Sequence, residues 1–505
     1  MSSWFLLLAA LVIAACGLVY ELVAAALASY LIGDAVTQFS TVIGTYLFAM
    51  GVGAYLARFV RRDILARFVE IEIGVGLIGG FSAFLLFAAF AFGMLFQPLL
   101  YLLVFFVGVL VGTEIPLLLR ILKSYLRFEE LVSRVLSLDY LGALFVSLLF
   151  PLWFVPRLGL IRTGLFFGAV NVLVAGYSLY LFRHELRRRG LWIASGVALL
   201  VLAVGAWHAE QFSRFAERHI YPGEVLVSKQ SRYQRIVVAR RGETTSLYLN
   251  GHHQFATRDE YSYHEALVHP ALSALHSPRR ALVLGGGDGL AVRELLRYPS
   301  LQSITLVDID AEVTGLFRSH PQLRLLNDDA LNHAKVAVVN QDAWLWLADG
   351  DEVFDAIVVD LPDPSNFAVA KLYTAPFYRL VLRHLSEDGL LAVQATSPLF
   401  AREAYWCIVA TLESAGLDAT PYHALVPSFG EWGFVLAGRR PFQPPRELPR
   451  GMRFLTLDTL PGLFVFSPDT ERLPIEPNRL DTQVLVQYYE KGWASTARNL
   501  PRAWE

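Results

Sequence analysis

Five aspartates recur at comparable places in the second half of the chain, Asp288, Asp308, Asp342, Asp360 and Asp363, each at or just after a short apolar run that reads as a strand. Singly, an acid after a strand is a turn former or a helix cap. Together, at the carboxyl ends of successive strands, they would surround the crevice in which open α/β sheets take their ligands. Carboxylates so placed can hold ammonium groups, accept hydrogen bonds from sugar hydroxyls, or take a proton from an attacking amine.

Such acids need a frame, and the stretch ALVLGGGDGLAVRELLRYPSLQSITLVDID at 281–310 supplies one. It reads as a strand, a glycine-rich turn, a helix and a second strand. Gly285, Gly286 and Gly287, followed by Gly289, let the backbone turn tightly so that bare N–H groups and a helix start can approach a ligand. Asp308 ends the second strand about 20 residues on, where a Rossmann acid takes ribose hydroxyls. Asp288 lies inside the turn and puts negative charge beside the ligand, which suits a cationic one.

Strand-like runs at 281–284, 303–307, 336–339, 356–359 and 390–394 alternate with helical patterns. This predicts an α/β Rossmann-like, methyltransferase-type doubly wound sheet over 278–505. Ahead of it, 225–239 alternates with a period near two, and Asn250-Gly251 carries a type I′ hairpin signal. A small antiparallel β domain over 224–277 is expected there.

The first half has a different texture. The chain has 505 residues, 55% of them apolar, and a mean hydropathy of +0.44, with the excess lying before residue 210. Apolar runs at 4–32, 39–57, 71–96, 99–119, 135–155, 163–182 and 191–207 approach or exceed the roughly 20 residues that span a bilayer, predicting an α-helical transmembrane bundle of about seven helices over 1–208. Residues 209–223 read as a linker. The first run lacks a basic flank and is longer than the roughly 7–15 apolar residues of a cleaved signal, so it reads as a retained span.

Arg58, Arg61 and Arg62, then Arg120, Lys123 and Arg127, then Arg183, Arg188 and Arg189 fall on one side of such a bundle, which the positive-inside rule makes cytoplasmic. An odd number of spans then leaves the second half outside, whereas nucleoside supply favours the cytoplasm. The expectation is a multi-pass cell-membrane protein, in contact with the lipid bilayer, whose sidedness stays open. Glu21, Glu114 and Asp139 lie within the apolar runs, and intramembrane acids face a bundle interior or an aqueous cavity. They serve either helix-to-helix hydrogen bonding or a site or path for a cation. Net charge is −2 and the cysteines are Cys16 and Cys407, far apart. Nothing here favours a nucleic-acid surface, a disulfide framework or a metal site.

From about Glu224 to beyond Phe377 the second half resembles the spermidine synthase family, the polyamine aminopropyltransferases. YQRIVV at Tyr233, LYLNGHHQF at Leu247, DEYSYHEALVHPAL at Asp259, GGGDG at Gly285, the acid at Asp308, NQDA at Asn340, DLPDP at Asp360 and KLYTAPFY at Lys371 occur in the family's order. The multi-span front half is similar to the membrane-embedded bacterial branch. The resemblance implies transfer of the aminopropyl group of decarboxylated S-adenosylmethionine, as co-substrate and without a metal, to an amine such as putrescine, releasing methylthioadenosine. It implies Asp360 as proton acceptor, with Tyr263 and Tyr373 orienting the attacking nitrogen. Gln234, the glycines 285–287, Asp308, Asp342 and Ala343 would bind the nucleoside, Asp308 at the ribose and Asp342 at the adenine amine. His264, Asp288 and Asp363 would contact the amine chain. A homodimer is the family's default.

Two rivals share parts of this pattern. An S-adenosylmethionine-dependent methyltransferase has the same sheet, but its methionine carboxylate would meet Asp288, and like charges at about 4 Å repel by about 4 kcal/mol at an effective dielectric of 20. A polyamine sensor or transporter could retain the pocket without the reaction. The chain departs from the family at Leu290, where another glycine is usual, at Asp308 in place of glutamate, and at Ser365, Asn366, Phe367 and Ala368.

Overall fold

The computed structural model describes residues 2–32, 35–123, 127–186 and 188–499, so Met1 and residues 500–505, at the outer ends of the expected first and last domains, lie outside the described residues. The chain divides into two compact units, Met1–Val225 and Leu226–Glu505.

The first unit is helical: α1 (Ser2–Ile32), α2 (Ala35–Leu56), α3 (Ile64–Ala91), α4 (Phe96–Leu122), α5 (Phe128–Leu149), α6 (Val155–Leu181) and α7 (Arg189–Ile220). Runs of Leu, Val, Ala and Phe that are apolar all round favour helices with every backbone bond made internally. Among the described residues, six helical stretches are long and apolar enough to cross a membrane, where the sequence suggested about seven. The difference lies at 135–155 and 163–182. These form one helical stretch, Glu130–Leu181, of 52 residues, bent where Gly159 takes φ 73°. Pro156 stands at the start of α6, where a helix does not need its N–H, so α5 runs into α6 without a loop. Residues 209–223, expected as a linker, are helical up to Ile220, because no glycine or proline interrupts the run before Pro222.

The second unit opens with an antiparallel sheet, β1 (Glu224–Gln230), β2 (Arg235–Arg241), β3 (Thr244–Leu249) and β4 (His252–Ala256), paired in that order. Asn250 and Gly251 link β3 to β4 with φ of 50° and 81°, the two positive angles of a type I′ turn. Helix α8 (Glu260–Ala274) follows.

Then comes a seven-stranded sheet of β5 (Arg280–Gly285), β6 (Ser303–Asp308), β7 (Val336–Asn340), β8 (Phe354–Asp360), β9 (Leu385–Gln394), β10 (Asp418–Val426) and β11 (Gly430–Gly438). Its order is β10-β11-β9-β8-β5-β6-β7, with β5 to β9 parallel and the β10–β11 hairpin antiparallel at one edge. The chain reverses direction across the sheet between β5 and β8, and a crevice opens outside the strand ends there.

Alternate residues of the central strands feed two separate cores. Ala281, Val283, Ala356 and Val358 pack on the side of α8, while Leu282, Leu284, Ile357 and Val359 pack with Phe377, Tyr378 and Ile408 on the other. Both faces are covered, as a parallel sheet requires. Each buried aliphatic side chain contributes about 1.5–3 kcal/mol, and a one-residue slip would exchange the two faces. The register therefore pairs Gly285 with Asp360 and Leu284 with Val307, which brings the glycine turn, Asp308 and Asp360 to one level.

Candidate active site

At the end of β5 the backbone turns on Gly285 and Gly286, with φ of 82° and 62°. A Cβ on Gly285 would lie 2.2 Å from the carbonyl oxygen of Asp360. The N–H of Gly286 donates to that same oxygen at 2.9 Å, and the N–H of Gly287 donates to Oδ2 of Asp308 at 3.1 Å. The turn is thus laced to both neighbouring strands. Gly285→Ala should cost at least about 2 kcal/mol, from the left-handed conformation and the clash together, read as a lower urea midpoint of the full-length protein. Leu290, the departure from the family's glycine, sends its side chain into the buried core.

Asp308 holds two backbone donors, Gly287 on Oδ2 and Asp310 on Oδ1 at 2.8 Å. Burial pushes its carboxyl up to about 6 against those hydrogen bonds. Asp288 and Asp363 are also pushed up to about 6, chiefly by burial. Asp363 accepts from Gln394 at 3.3 Å and from Thr396 at 3.1 Å, with Tyr489 as a further partner. Asp360 is partly buried and raised by desolvation, an effect opposed by the charge of His264 and by the Tyr263 hydroxyl, which donates to Oδ1 at 2.7 Å. Oδ2 of Asp360 lies on the side of Gly286.

His264, 3% exposed, is held by Glu260, whose Oε2 is 2.9 Å from Nδ1. Burial opposes a charged imidazole, but the hydrogen bond and charge of Glu260 outweigh it and push the ring up to about 9. Arg293 in turn grips Glu260 with Nη1 at 3.0 Å and Nη2 at 2.9 Å. The imidazolium that results draws Asp288 and Asp360 toward their ionised forms.

The other expected residues take more structural positions. Asp342 caps the helix Ala343–Asp349, accepting from Trp344 N–H at 2.8 Å. Its partial burial is outweighed by Lys371, which bonds Oδ2 at 2.8 Å and holds the carboxyl below its usual range. Lys371 follows Ser365 to Ala368, the segment that departs from the family and in which Asn366 caps a short helix, Phe367–Ala370. Gln234 donates to the buried Asp310 at 2.9 Å, and Ala343 is buried at the helix start. The Tyr373 hydroxyl, wholly buried, donates to the carbonyls of Leu361 and Pro362 at 3.2 and 3.1 Å and accepts from Gln394 at 2.7 Å.

Sequence reasoning passed over Glu260, Arg293, Asp310, Gln394 and Thr396. Glu260 had a signal, an acid four residues before His264 and so on the same face of a helix. In the first unit Glu21 and Glu114 are buried and Asp139 is half-buried. Glu72, which sequence reasoning did not single out, is wholly buried on α3. It sits two residues into an apolar run, so the rule that picked out Glu114 applied to it as well.

A doubly wound sheet with a glycine turn at its switch point, flanked by partly buried acids on three strand ends, is the arrangement of a protein that binds a nucleoside-linked ligand. A family model described as Spermine/spermidine synthase domain matches residues 260–441. The chain is 50% identical over 491 residues to the polyamine aminopropyltransferase of Leptospira interrogans serogroup Icterohaemorrhagiae serovar copenhageni, covering 97% of this chain and 98% of that one. It is 41% identical over 510 residues to polyamine aminopropyltransferase 1 of Streptomyces coelicolor, with 97% and 95% covered. A crystal structure of spermidine synthase from Thermotoga maritima shares 23% identity over 48% of this chain and 85% of that one, with a TM-score of 0.44. The chain belongs to the polyamine aminopropyltransferase family, and the likeness to its relatives runs through the helical unit as well as the sheet.

Proposed function

We propose that this protein transfers the aminopropyl group of decarboxylated S-adenosylmethionine to a diamine such as putrescine, with Asp360 as proton acceptor. The observation that carries this reading is the partly buried Asp360 carboxylate, fixed by Tyr263 on Oδ1, with Oδ2 beside the glycine turn.

Asp308 spends one lone pair of each oxygen on a backbone N–H and keeps the others for two ribose hydroxyls. Asp342, oriented by Lys371, stands for the adenine amine, and Gln234 keeps its side-chain oxygen for the nucleoside. Asp288 and Asp363 hold ammonium groups. The amine bound near Asp360 gives up a proton to it, and the freed nitrogen lone pair attacks the methylene carbon on the sulfonium. The carbon–sulfur bond breaks with its electrons going to sulfur, leaving the neutral thioether methylthioadenosine. His264 holds the neighbouring carboxylates ionised, and Tyr373 with Gln394 sets the path of the loop that carries Asp363.

The acids also set a pH dependence. Asp288, Asp308 and Asp363 titrate near 6 in the folded protein, against about 4 when unfolded. Between these values the native state holds protons the unfolded chain has lost, so the three groups cost stability as pH rises from about 4 through 6. A polyamine prefers the ionised carboxylates. Putrescine should therefore raise Tm more at pH 7.5 than at 5.5, and calorimetry near pH 6 in buffers of different ionisation enthalpy should show proton release on binding.

The function itself is tested by incubating the purified protein with decarboxylated S-adenosylmethionine and a panel of diamines and triamines. Mass spectrometry should find methylthioadenosine and one aminopropylated amine. Absence of methylthioadenosine with every amine, although polyamines bind, would move the assignment to a sensor or transporter.

A further inference from the structure

The helical unit contains carboxylates for which aminopropyl transfer has no use. Glu72 on α3 and Glu114 on α4 are both shut off from solvent. Oε2 of Glu72 accepts from Nδ2 of Asn171 on α6 at 2.7 Å, and Oδ1 of Asn171 accepts from the Tyr20 hydroxyl on α1 at 3.0 Å. That chain explains one carboxylate oxygen. Oε1 of Glu72 and both oxygens of Glu114 are buried and have no donor among the described residues.

The nearby hydroxyls are committed elsewhere. Tyr46 on α2 donates to the carbonyl of Gly17 at 2.8 Å, and Thr113 donates to that of Leu110 at 2.6 Å. Glu72 and Glu114 come from α3 and α4, two helices that pack directly against each other. The acids grade from the half-buried Asp139 to the wholly buried Glu72. Ion pairs among the described residues of this unit draw on other acids, Asp63, Glu70, Glu130 and Glu210, whose side chains reach solvent.

Helix-to-helix hydrogen bonding leaves three enclosed acceptors unexplained, and an unpaired buried acceptor is costly, more so when charged. Three acceptors without a donor are the complement of a primary ammonium group, which brings three donors, no acceptor and one positive charge. A magnesium or calcium ion wants six or more oxygens, and no group of three His, Cys, Asp or Glu side chains among the described residues is arranged for a metal. We propose that the helical unit binds an alkylammonium ligand, a primary amine or diamine, between Glu72 and Glu114. This site is separate from the one at the strand ends and does not depend on the reaction assigned there.

The test uses the full-length protein in detergent or nanodiscs. Dicyclohexylcarbodiimide modifies carboxyls in apolar surroundings, and peptide mass spectrometry locates the adduct. Modification of Glu114 or Glu72 should slow with putrescine, by about tenfold at about ten times its Kd, and not with equal NaCl or KCl. In equilibrium dialysis with labelled putrescine, the protein should bind one more amine per chain than Glu114→Gln. No protection by putrescine, or equal protection by sodium or potassium, overturns the proposal. So does a folded Glu114→Gln variant that binds as much amine as the parent. Should that variant fail to fold, the carbodiimide result on the unmodified chain decides alone.

Discussion

Replacing Asp360 by asparagine is expected to lower kcat about 10²–10⁴-fold, the range a positioned general base contributes. Asparagine keeps the shape and can still accept from the Tyr263 hydroxyl, whose 2.7 Å bond fixes the side chain. It cannot take a proton from the amine, and at neutral pH an alkylamine is almost wholly protonated. Binding should suffer less than turnover, because Asp288 and Asp363 remain to hold ammonium groups. The fall should therefore appear in kcat with a smaller change in the KM for the amine, measured by chromatography of methylthioadenosine. Activity within about threefold of the parent would remove Asp360 from the proton-transfer step.

Removing Glu260 should have the largest effect on stability. Its carboxylate joins two buried cations, the Arg293 guanidinium through two contacts and His264 through one. Glu260→Ala would strand both, and breaking a buried pair from one side costs about 3–5 kcal/mol. Arg293 retains Glu294 at 2.9 Å and the Leu326 carbonyl at 2.8 Å, so His264 takes the larger share of the loss.

The sign with pH follows from His264. A folded value near 9, above the unfolded value of about 6.5, means the stabilisation is complete below pH 6.5 and fades as pH rises through 9. The deficit of Glu260→Ala in urea denaturation should accordingly be large at pH 6 and shrink toward pH 9.5. Glu260→Gln, which keeps hydrogen-bonding capacity without charge, should fall between. An alanine variant that loses under 1 kcal/mol, or whose deficit does not vary with pH, would show that the charge on His264 carries little of the fold.

Local chemistry makes part of this molecule legible in its sequence. The β3–β4 hairpin can be read because a type I′ turn demands two positive φ angles and Asn250-Gly251 tolerates both. Strands β5 to β8 can be read from short apolar runs closed by acids, and the apolar first half from the length of its runs. The β10–β11 hairpin is not legible: Pro421 interrupts β10, which an edge strand tolerates, and Gly430 and Gly433 break the pattern of β11. The runs at 135–155 and 163–182 are read as separate because Arg157, Gly159 and Arg162 interrupt the apolar pattern, and the backbone does leave helical geometry between them at Gly159, although no loop intervenes.

The sequence alone determined which residue types stand at the strand ends, the family those motifs belong to, and an apolar half with acids inside it. All of these depend on windows of a few residues or on motif order. Tertiary structure decided the rest. Asp360 meets Tyr263 across 97 positions, Glu260 meets Arg293 across 33, and Glu72 meets Asn171 across 99. No local period encodes such pairs, because they form only when burial of both sheet faces or of a helix bundle fixes how distant segments lie. Burial then does what a sequence cannot display: it lifts Asp288, Asp308 and Asp363 toward 6, leaves Glu114 without a donor, and is outweighed at His264 only by the charge of Glu260.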